Sequence, residues 1–216
     1  MRTRIILLFM FVTAFAKAQT VGAWQLKESS DGIKIYTADI SNSKIKGIKV
    51  ECQFNATLSQ VTAALMDIKN SEEWLYHTAG NQLIKQVSPG ELYYYSLIEM
   101  PWPVSNRDFI AHLKVTQDPV SKVVTMDAPC IPDMIPVKPK IVRITNSKGK
   151  WVVTPAGPDH VKILYTLYAD PGGDVPSWLT NLFITQGPSQ SFKKFKAHIQ
   201  KPAYKNAKLD YVVNQQ

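Results

Sequence analysis

The feature that most constrains the fold is a long series of short β-type segments between residues 82 and 170. Turn residues such as Ser88-Pro89-Gly90, Asp118-Pro119 and Ser147-Lys148-Gly149 separate the segments. Links this short join antiparallel strands, because parallel strands need a crossover of a dozen residues or more. The pattern predicts strands over residues 83–87, 92–100, 108–116, 122–128, 141–145, 151–154 and 161–169.

Two further strands and two helices precede this series. Asp31-Gly32 is a turn signal, and the residues from Ile33 to Tyr36 favour a strand. From Ile45 to Phe54, apolar and polar residues alternate, which is typical of a half-buried strand. Thr57 then caps a predicted helix whose apolar residues recur at helical spacing, and Ser71 begins a second, short helix.

The last predicted element is a long helix. Pro176 suits a first helical turn, and an apolar stripe follows it, which Gly187-Pro188 interrupts with a kink or break. The stripe consists of Trp178, Leu179, Leu182, Phe183, Phe192, Phe195 and Ile199. The order of elements indicates an α+β fold in which a curved antiparallel sheet of about nine strands wraps around this helix. Beyond Pro202 the tail is polar, and we expect it to be loosely ordered.

The N-terminus predicts export. Arg2 and Arg4 precede an apolar run from Ile5 to Phe15, and Ala16-Lys17-Ala18 supplies the small residues of a cleavage site. The run is shorter than the roughly 20 residues that span a bilayer. We therefore assign residues 1–18 to a signal peptide and expect a periplasmic or extracellular protein. Its removal would take away three basic residues and lower the formal net charge from +8 to +5.

Composition excludes several function classes. The chain has no basic run interleaved with aromatic residues and no zinc-finger spacing, so we expect no nucleic-acid partner and no metal. The four histidines are scattered and form no HExxH motif, and no G-x-S-x-G sequence occurs. Cys52 and Cys130 are the only cysteines, and either a disulfide or two free thiols fits their number.

Two motifs carry a family resemblance. The segment from Met100 to Phe109, MPWPVSNRDF, closely resembles the PWP-x-x-x-RDF signature of START (StAR-related lipid-transfer) domains. Asp170-Pro171-Gly172-Gly173, followed by Val-Pro-x-Trp-Leu, resembles the turn before their C-terminal helix. The resemblance implies a helix-grip (START/Bet v 1-like) fold over residues 19–202, with residues 203–216 as a tail. It also implies a monomer without a cofactor or catalysis, which binds one lipid or other apolar molecule in a cavity gated by that helix.

Alternation of side chains nominates the residues that line this cavity. On two neighbouring strands, one face carries alternating residues that the resemblance places inward, and Trp102 and Arg107 lie between those strands. The inward parity of the last strand stays open between the residues in phase with Tyr165 and those in phase with Leu164. The predicted ligand-binding residues are Tyr94, Ser96, Ile98, Met100, Trp102, Arg107, Phe109, Leu113, Tyr165, Leu182 and Phe183.

Alternative roles accompany these residues. Arg107 contacts a polar lipid group or has a structural role, whereas Asp108 accepts backbone or arginine hydrogen bonds and organises the corner. Cholesterol-binding START domains have a buried acid–arginine pair at the positions of Tyr94 and Leu113, so this chain lacks that arrangement. A helix-grip enzyme acting on an apolar substrate, and an envelope interaction module with a filled cavity, are the competing function classes. Lys193, Lys194 and Lys196 offer a basic face of the C-terminal helix for peripheral membrane contact.

Overall fold

A single ten-stranded sheet dominates the structure, a computed structural model that describes residues 21–41, 46–173, 175–176, 179 and 182–215. Nine strands follow the order β1-β2-β3-β10-β9-β7-β6-β5-β4 with antiparallel neighbours, and β8 pairs in parallel with the start of β6. The strands are β1 Gln25–Ser30, β2 Ile33–Asp39, β3 Lys46–Phe54, β4 Thr78–Ser88, β5 Glu91–Ile98, β6 Arg107–Gln117, β7 Val124–Pro129, β8 Val142–Arg143, β9 Asn146–Pro155 and β10 Val161–Asp170. The predicted fold class is confirmed.

In the chain, one helix lies between β3 and β4, and the other helices follow β10. The predicted cap of α1 is confirmed: Thr57 Oγ1 accepts from the Gln60 amide, and Gln60 Oε1 accepts from the Thr57 amide. A π-helical segment gives way to α2 at Gly187, where the sequence predicts an interruption. The helices are α1 Leu58–Met66, α2 Gly187–His198 and α3 Pro202–Lys205, with 3₁₀ turns Ser71–Glu73 and Pro132–Met134 and the π-helical segment Leu182–Gln186.

Helix α2 bridges the two edges of the curved sheet. Ser189 Oγ donates to Glu28 Oε1 of the edge strand β1 at 2.6 Å. On the other side, Ser191 Oγ accepts from the Tyr76 amide, just before β4, at 3.0 Å. The apolar side chains of α2, Phe192 and Phe195, are buried against the inner face of the sheet. The helix therefore closes the interior on the side that the sheet leaves open.

Strand register settles which residues face the interior. Tyr165 of β10 pairs with Val50 of β3 and with Trp151 of β9, and all three belong to the interior. Leu164, in the opposite phase, is exposed on the outer face. The parity left open by the sequence is therefore that of Tyr165.

One predicted turn is wrong. The residues from Ser147 to Gly149 lie inside β9, in continuous register with Leu167–Ala169 of β10. Pairing along the full length of two long strands overrides the local turn preference of Ser-Lys-Gly. The strand predicted over 141–145 is also reduced to Val142–Arg143, because the chain around it is shaped by the contacts of the Arg143 side chain.

The C-terminal tail packs on the body, contrary to the expectation of loose order. Val212 is buried, and Asn214 Oδ1 accepts from the Ser59 amide at 2.9 Å. The amide of Val213 donates to Gln117 Oε1 at 2.8 Å. A polar sequence does not exclude docking when its amides, amide side chains and a few apolar residues find partners.

The two cysteines are free thiols in this structure. Burial raises the pKa of the Cys52 thiol to about 12, and it also raises the pKa of Cys130. None of the helices in the described part of the chain has the length and apolar character that crossing a membrane requires.

Candidate ligand-binding site

The half of the interior beneath α2 is filled by aromatic side chains. Trp151 stacks on Phe192 with ring centroids 5.2 Å apart, and Trp74 packs against Phe195 at 4.6 Å. Phe54 closes the group at 6.2 Å from Phe195. This cluster is the packed core, and side chains from β3, β9 and α2 meet in it.

Packing of the interior is less complete toward the end where β5 stops and β6 begins. The inward-facing residues of this half keep part of their surface accessible although they belong to the inner face. They are Tyr94, Ile98, Phe109, Ala128, Tyr165 and Leu167. Tyr94 and Phe109 meet edge to face at 5.7 Å and form one wall of this half. We refer to this set of residues as the inner wall.

Two phenol hydroxyls give the inner wall its polarity. Burial raises the pKa of Tyr94 and of Tyr165 well above the ordinary value for tyrosine, and the nearness of Tyr94 adds to the rise at Tyr165. Both rings lie on the inner face of the sheet, and part of each remains accessible. In the described part of the chain, neither hydroxyl has a hydrogen-bond partner. Neither hydroxyl is among the fully enclosed unpaired polar atoms of the described residues, so both remain available as hydrogen-bond donors.

The other predicted residues of β5 lie around these phenols. Ser96 is buried beside Phe109, its partner in the register, and Ile98 lies opposite Arg107. Met100 follows the end of β5, and its amide donates to Asn106 Oδ1 at 3.0 Å. Ser96 and Ile98 therefore share the face of Tyr94, whereas Met100 belongs to the loop that leaves the strand.

Arg107 is buried without a carboxylate beside it. Its side chain is 2% exposed and donates to the carbonyl oxygens of Ser105, of Pro171 at 3.5 Å and of Gly172 at 3.3 Å. Among the described residues no acidic side chain forms an ion pair with it, and burial lowers its pKa. Arg107 therefore has a structural role, because it joins the loop before β6 to the turn after β10.

Asp108 organises the corner, as the sequence predicts. Its two carboxylate oxygens accept from Arg143 Nε at 2.6 Å and Nη2 at 3.0 Å, and both side chains are buried. Arg143 also donates to carbonyl oxygens of the segment 132–136. Sequence reasoning missed Arg143, since nothing in its local sequence marks it as the partner of a residue 35 positions away.

Four further predicted site residues lie away from the inner wall or outside the described part of the structure. Trp102 projects into solvent with 91% of its surface exposed. Leu113 is buried in the packed core. Phe183 packs at the rim against Tyr76 and His77, with ring centroids 6.2 Å and 6.0 Å away, and the Leu182 side chain lies outside the described part of the structure.

The outer face of β5 is covered rather than open. Tyr95 is buried although it points away from the interior, because the chain between β7 and β8 crosses it and Lys138 Nζ lies 4.0 Å from its ring. This covering explains why β5 carries apolar residues on both of its faces. On the same face His112 pairs with Glu91 at 2.7 Å and stacks on Tyr93.

The inner wall is apolar apart from its tyrosine hydroxyls. Its polar atoms are neutral hydroxyls with raised pKa values, and the imidazole of His112 faces outward. Within the described ranges, no group of three His, Cys, Asp or Glu side chains could hold a metal ion. A curved antiparallel sheet closed by a C-terminal helix defines a helix-grip fold.

Comparison with known proteins identifies the family. The profile of the START domain matches residues 16–205, so the chain belongs to the START domain family. A solved STAR-related lipid transfer protein from Xanthomonas axonopodis is 30% identical, with a TM-score of 0.75 over 82% of this chain and 99% of that one. An uncharacterised Pseudomonas aeruginosa protein, PA1579, is 30% identical over 82% of this chain and 87% of its own. Mouse phosphatidylcholine transfer protein is 24% identical over 76% and 78% of the two chains.

Proposed function

We propose that the protein binds a single lipid in the interior, against the inner wall, and carries it without chemical change. The observation that carries the proposal is the pair of partnerless phenols, Tyr94 and Tyr165, in otherwise apolar surroundings. An acceptor on the ligand would take a hydrogen bond from each hydroxyl. Membership of the START domain family, which is known for lipid binding and transfer, supports the same conclusion.

The phenols favour a ligand with neutral or weakly charged oxygen acceptors. An ester carbonyl accepts one hydrogen bond from each donor and is attached to the acyl chains that an apolar wall binds. Two relatives support a lipid of this kind, since one is named as a phosphatidylcholine transfer protein and another as a lipid transfer protein. We therefore propose a glycerolipid ester as the ligand class.

Native mass spectrometry of the purified protein tests this proposal. We expect a stoichiometric adduct in the lipid mass range, identified after organic extraction. Tyr94→Phe and Tyr165→Phe remove one donor each and should weaken retention by about five- to ten-fold, from about 1–1.5 kcal/mol per hydrogen bond. Tyr93→Phe, on the opposite face of the same strand, is the matched control and should retain the lipid.

A protein that emerges free of lipid, and stays free after incubation with phospholipids, fatty acids and sterols, would contradict the proposal. A filled cavity in an interaction module would give that result. Catalysis is the other competing outcome. Turnover of a lipid ester that is abolished by a single Asp or His substitution would place the protein among helix-grip enzymes instead.

We further propose that the protein acts outside the cytoplasm, as its N-terminal sequence pattern indicates. The intact mass of protein recovered from the native host tests this, and we expect it to begin at Gln19. A mass that includes Met1 to Ala18 would contradict export.

Membrane contact through the C-terminal helix is a separate proposal. Lys194 and Lys196 are exposed on α2, whereas Lys193 Nζ pairs with Asp31 at 3.2 Å. These two exposed lysines can attract an anionic surface, and each contributes about 1 kcal/mol near such a membrane. Lys194→Glu with Lys196→Glu should lower binding to anionic vesicles without affecting neutral ones.

A further inference from the structure

The outer face of the sheet carries a pocket of about 340 Å³ where β2, β3, β10 and β9 lie side by side. Its side chains point away from the interior, in phase with the exposed Leu164 and out of phase with the buried Ile163. They form two adjoining rows across the strands. We refer to this set as the outer pocket, and it consists of Lys34, Glu51 and Leu164 in one row and of Gln53, Lys162 and Thr154 in the next.

The outer pocket has an excess of positive charge. Its acidic residue, Glu51, is already engaged at both oxygens: Oε1 lies 2.6 Å from Lys49 Nζ, and Oε2 accepts from the Tyr36 hydroxyl at 3.0 Å. The hydrogen bond from Lys49 holds the pKa of Glu51 below its ordinary value, so the two charges balance each other. Lys34 and Lys162 are exposed and form no ion pair with another described residue, so their charges remain for a ligand.

The outer pocket also offers one apolar surface and two neutral hydrogen-bonding groups. Leu164 has 37% of its surface exposed. Gln53 and Thr154 are the register partners of Lys162 on its two sides, and their side chains have no hydrogen-bond partner among the described residues. An amide and a hydroxyl both donate and accept hydrogen bonds, which suits the hydroxyl groups of a ligand. The exposed leucine suits a face made of C–H groups.

We propose that the outer pocket binds an anionic sugar, a single pyranose ring that carries a carboxylate or a phosphate group. The ammonium groups of Lys34 and Lys162 would donate to the anion, and the neutral groups would bind the ring hydroxyls. The volume lies at the lower end of the roughly 300–1,000 Å³ typical of small-molecule pockets, which favours one ring. Nucleic acid fits less well, because the lining of the outer pocket contains no aromatic residue on which a base could stack.

This site is separate from the inner wall and goes beyond the proposed lipid-binding function. Side chains alternate between the two faces of a strand, so Cys52 and Ile163 point to the interior from the same strands and belong to the packed core. One layer of sheet therefore lies between a sugar in the outer pocket and a lipid in the interior.

Titrations followed by ¹H–¹⁵N NMR spectra of the purified protein test the proposal. The probes are glucose 6-phosphate, glucuronate, glucose and inorganic phosphate. We expect both anionic sugars to shift amide signals of β2, β3, β9 and β10 around the outer pocket. They should bind about ten-fold more tightly than glucose or inorganic phosphate, because each of these lacks part of the contacts. Anionic sugars that shift no signal there, or that bind no more tightly than glucose or inorganic phosphate, would show that the proposal is wrong.

Charge substitutions locate the binding site. Lys34→Gln and Lys162→Gln should each weaken the binding of glucose 6-phosphate about three- to five-fold, as expected for exposed charge pairs. The control is Lys148→Gln, which removes an exposed lysine from the same face of β9, about 20 Å along the strand from Thr154. It should bind as the wild type does. An equal loss in the control would assign the binding to net charge and contradict the site.

Lipid loading separates this proposal from the proposed function. The double variant Lys34→Gln with Lys162→Gln should keep the wild-type amount of lipid in native mass spectra, because neither lysine reaches the interior. A wild type that binds anionic sugars in the outer pocket but carries no lipid would contradict the proposed function alone. A lipid-loaded wild type that binds neither anionic sugar would contradict the outer pocket alone.

Discussion

Asp108 shows how much a single buried charge can demand of its surroundings. Its carboxylate is fully buried and receives two hydrogen bonds from Arg143, whose remaining donors reach backbone carbonyls of the segment 132–136. Removing one member of such a pair strands the other in the interior without compensation. The pair therefore fixes the path of the chain between β7 and β8.

We expect Asp108→Asn to lower the free energy of unfolding by about 3–5 kcal/mol, because Arg143 would remain buried and charged. Urea denaturation at pH 7 measures the change. Asp127→Asn is the matched control: its partner Lys150 lies at 3.8 Å, and both side chains are more than 40% exposed. That substitution should cost less than about 1 kcal/mol. Equal losses in the two variants would contradict this account of the corner.

Individual residues differ in how far the sequence predicts them. The need of Asp108 for a hydrogen-bonding partner follows from its place in an apolar strand, but the identity of Arg143 depends on a β6–β8 pairing that the sequence does not reveal. The inward phase of Tyr94 follows from alternation along β5. For Trp102 the sequence is less informative. Two flanking prolines predict a rigidly held indole, but they do not indicate whether it is buried or exposed.

At the level of elements, the C-terminal segment illustrates the limit of composition. Residues 203–216 are polar, yet α3 and the chain beyond it contact α1 and β6 through hydrogen bonds and a few buried side chains. Polar composition predicts solubility of a segment, whereas docking depends on partners elsewhere in the chain. The same reason explains β9, where pairing with β10 overrides a turn signal.

Two adjacent valines in this segment allow a direct test of docking. Val212 is 5% exposed and Val213 is 55% exposed. Val212→Ala should lower the free energy of unfolding by about 1–2 kcal/mol, from lost burial and the cavity left behind. Val213→Ala should change it by less than about 0.5 kcal/mol. Chemical denaturation of both variants checks this, and equal stabilities would mean that the segment is not docked in solution.

A hydrogen-bonded group joins α1, α2 and α3 and makes their packing sensitive to acid. The Tyr204 hydroxyl donates to Asp67 Oδ2 at 2.8 Å and lies 3.1 Å from His198 Nε2. Burial alone would raise the pKa of Asp67, but hydrogen bonds from Asn70 and Tyr204 outweigh it and hold this pKa below its ordinary value. Asp67 therefore contributes stability that is present above a pH of about 4 and is lost as the pH falls through its lowered pKa.

Tyr204→Phe should remove part of this contribution. Near pH 7 we expect a loss of about 1–2 kcal/mol, because one hydrogen bond to a carboxylate disappears. The difference from the wild type should shrink between pH 5 and pH 3, where protonation of Asp67 weakens the bond in the wild type as well. Urea midpoints across this range measure the effect. A difference that stays constant with pH would assign the loss to packing rather than to Asp67.

On the scale of the whole molecule, the two halves of the interior differ in packing. The half beneath α2 is packed with aromatic rings and borders the inner wall at Tyr165, whose ring centroid lies 4.4 Å from that of Trp151 and 5.8 Å from that of Phe192. The hydroxyls of Tyr94 and Tyr165 have no partner among the described residues. The alternating pattern of the sequence predicts one continuous apolar interior and cannot distinguish these halves, because inward parity is the same in both. A bound lipid would complete the packing of the second half and stabilise the folded state by RT ln(1 + [L]/Kd).

Gly149 offers a way to fill the second half without a ligand. It is buried in β9, and a Cβ atom built there lies 3.8 Å from Tyr165 Oη and 3.8 Å from Ala128 Cβ, which is ordinary contact. We expect Gly149→Val to extend methyl groups toward the Tyr165 hydroxyl and to reduce lipid occupancy in native mass spectra. Valine also suits a strand better than glycine, so the lipid-free variant should be more stable by about 0.5–1 kcal/mol.

The comparison of Tm values before and after lipid extraction tests this division of the interior. Extraction should lower the Tm of the wild type, since its folded state loses bound lipid, and should leave that of Gly149→Val nearly unchanged. Gly80→Val places a valine on the outward face of β4, 3.9 Å from Leu97 Cβ, and should keep both the lipid and the extraction-dependent shift. If Gly149→Val retains full lipid occupancy, the ligand does not lie beside Tyr165, and the ligand-binding site lies elsewhere in the interior.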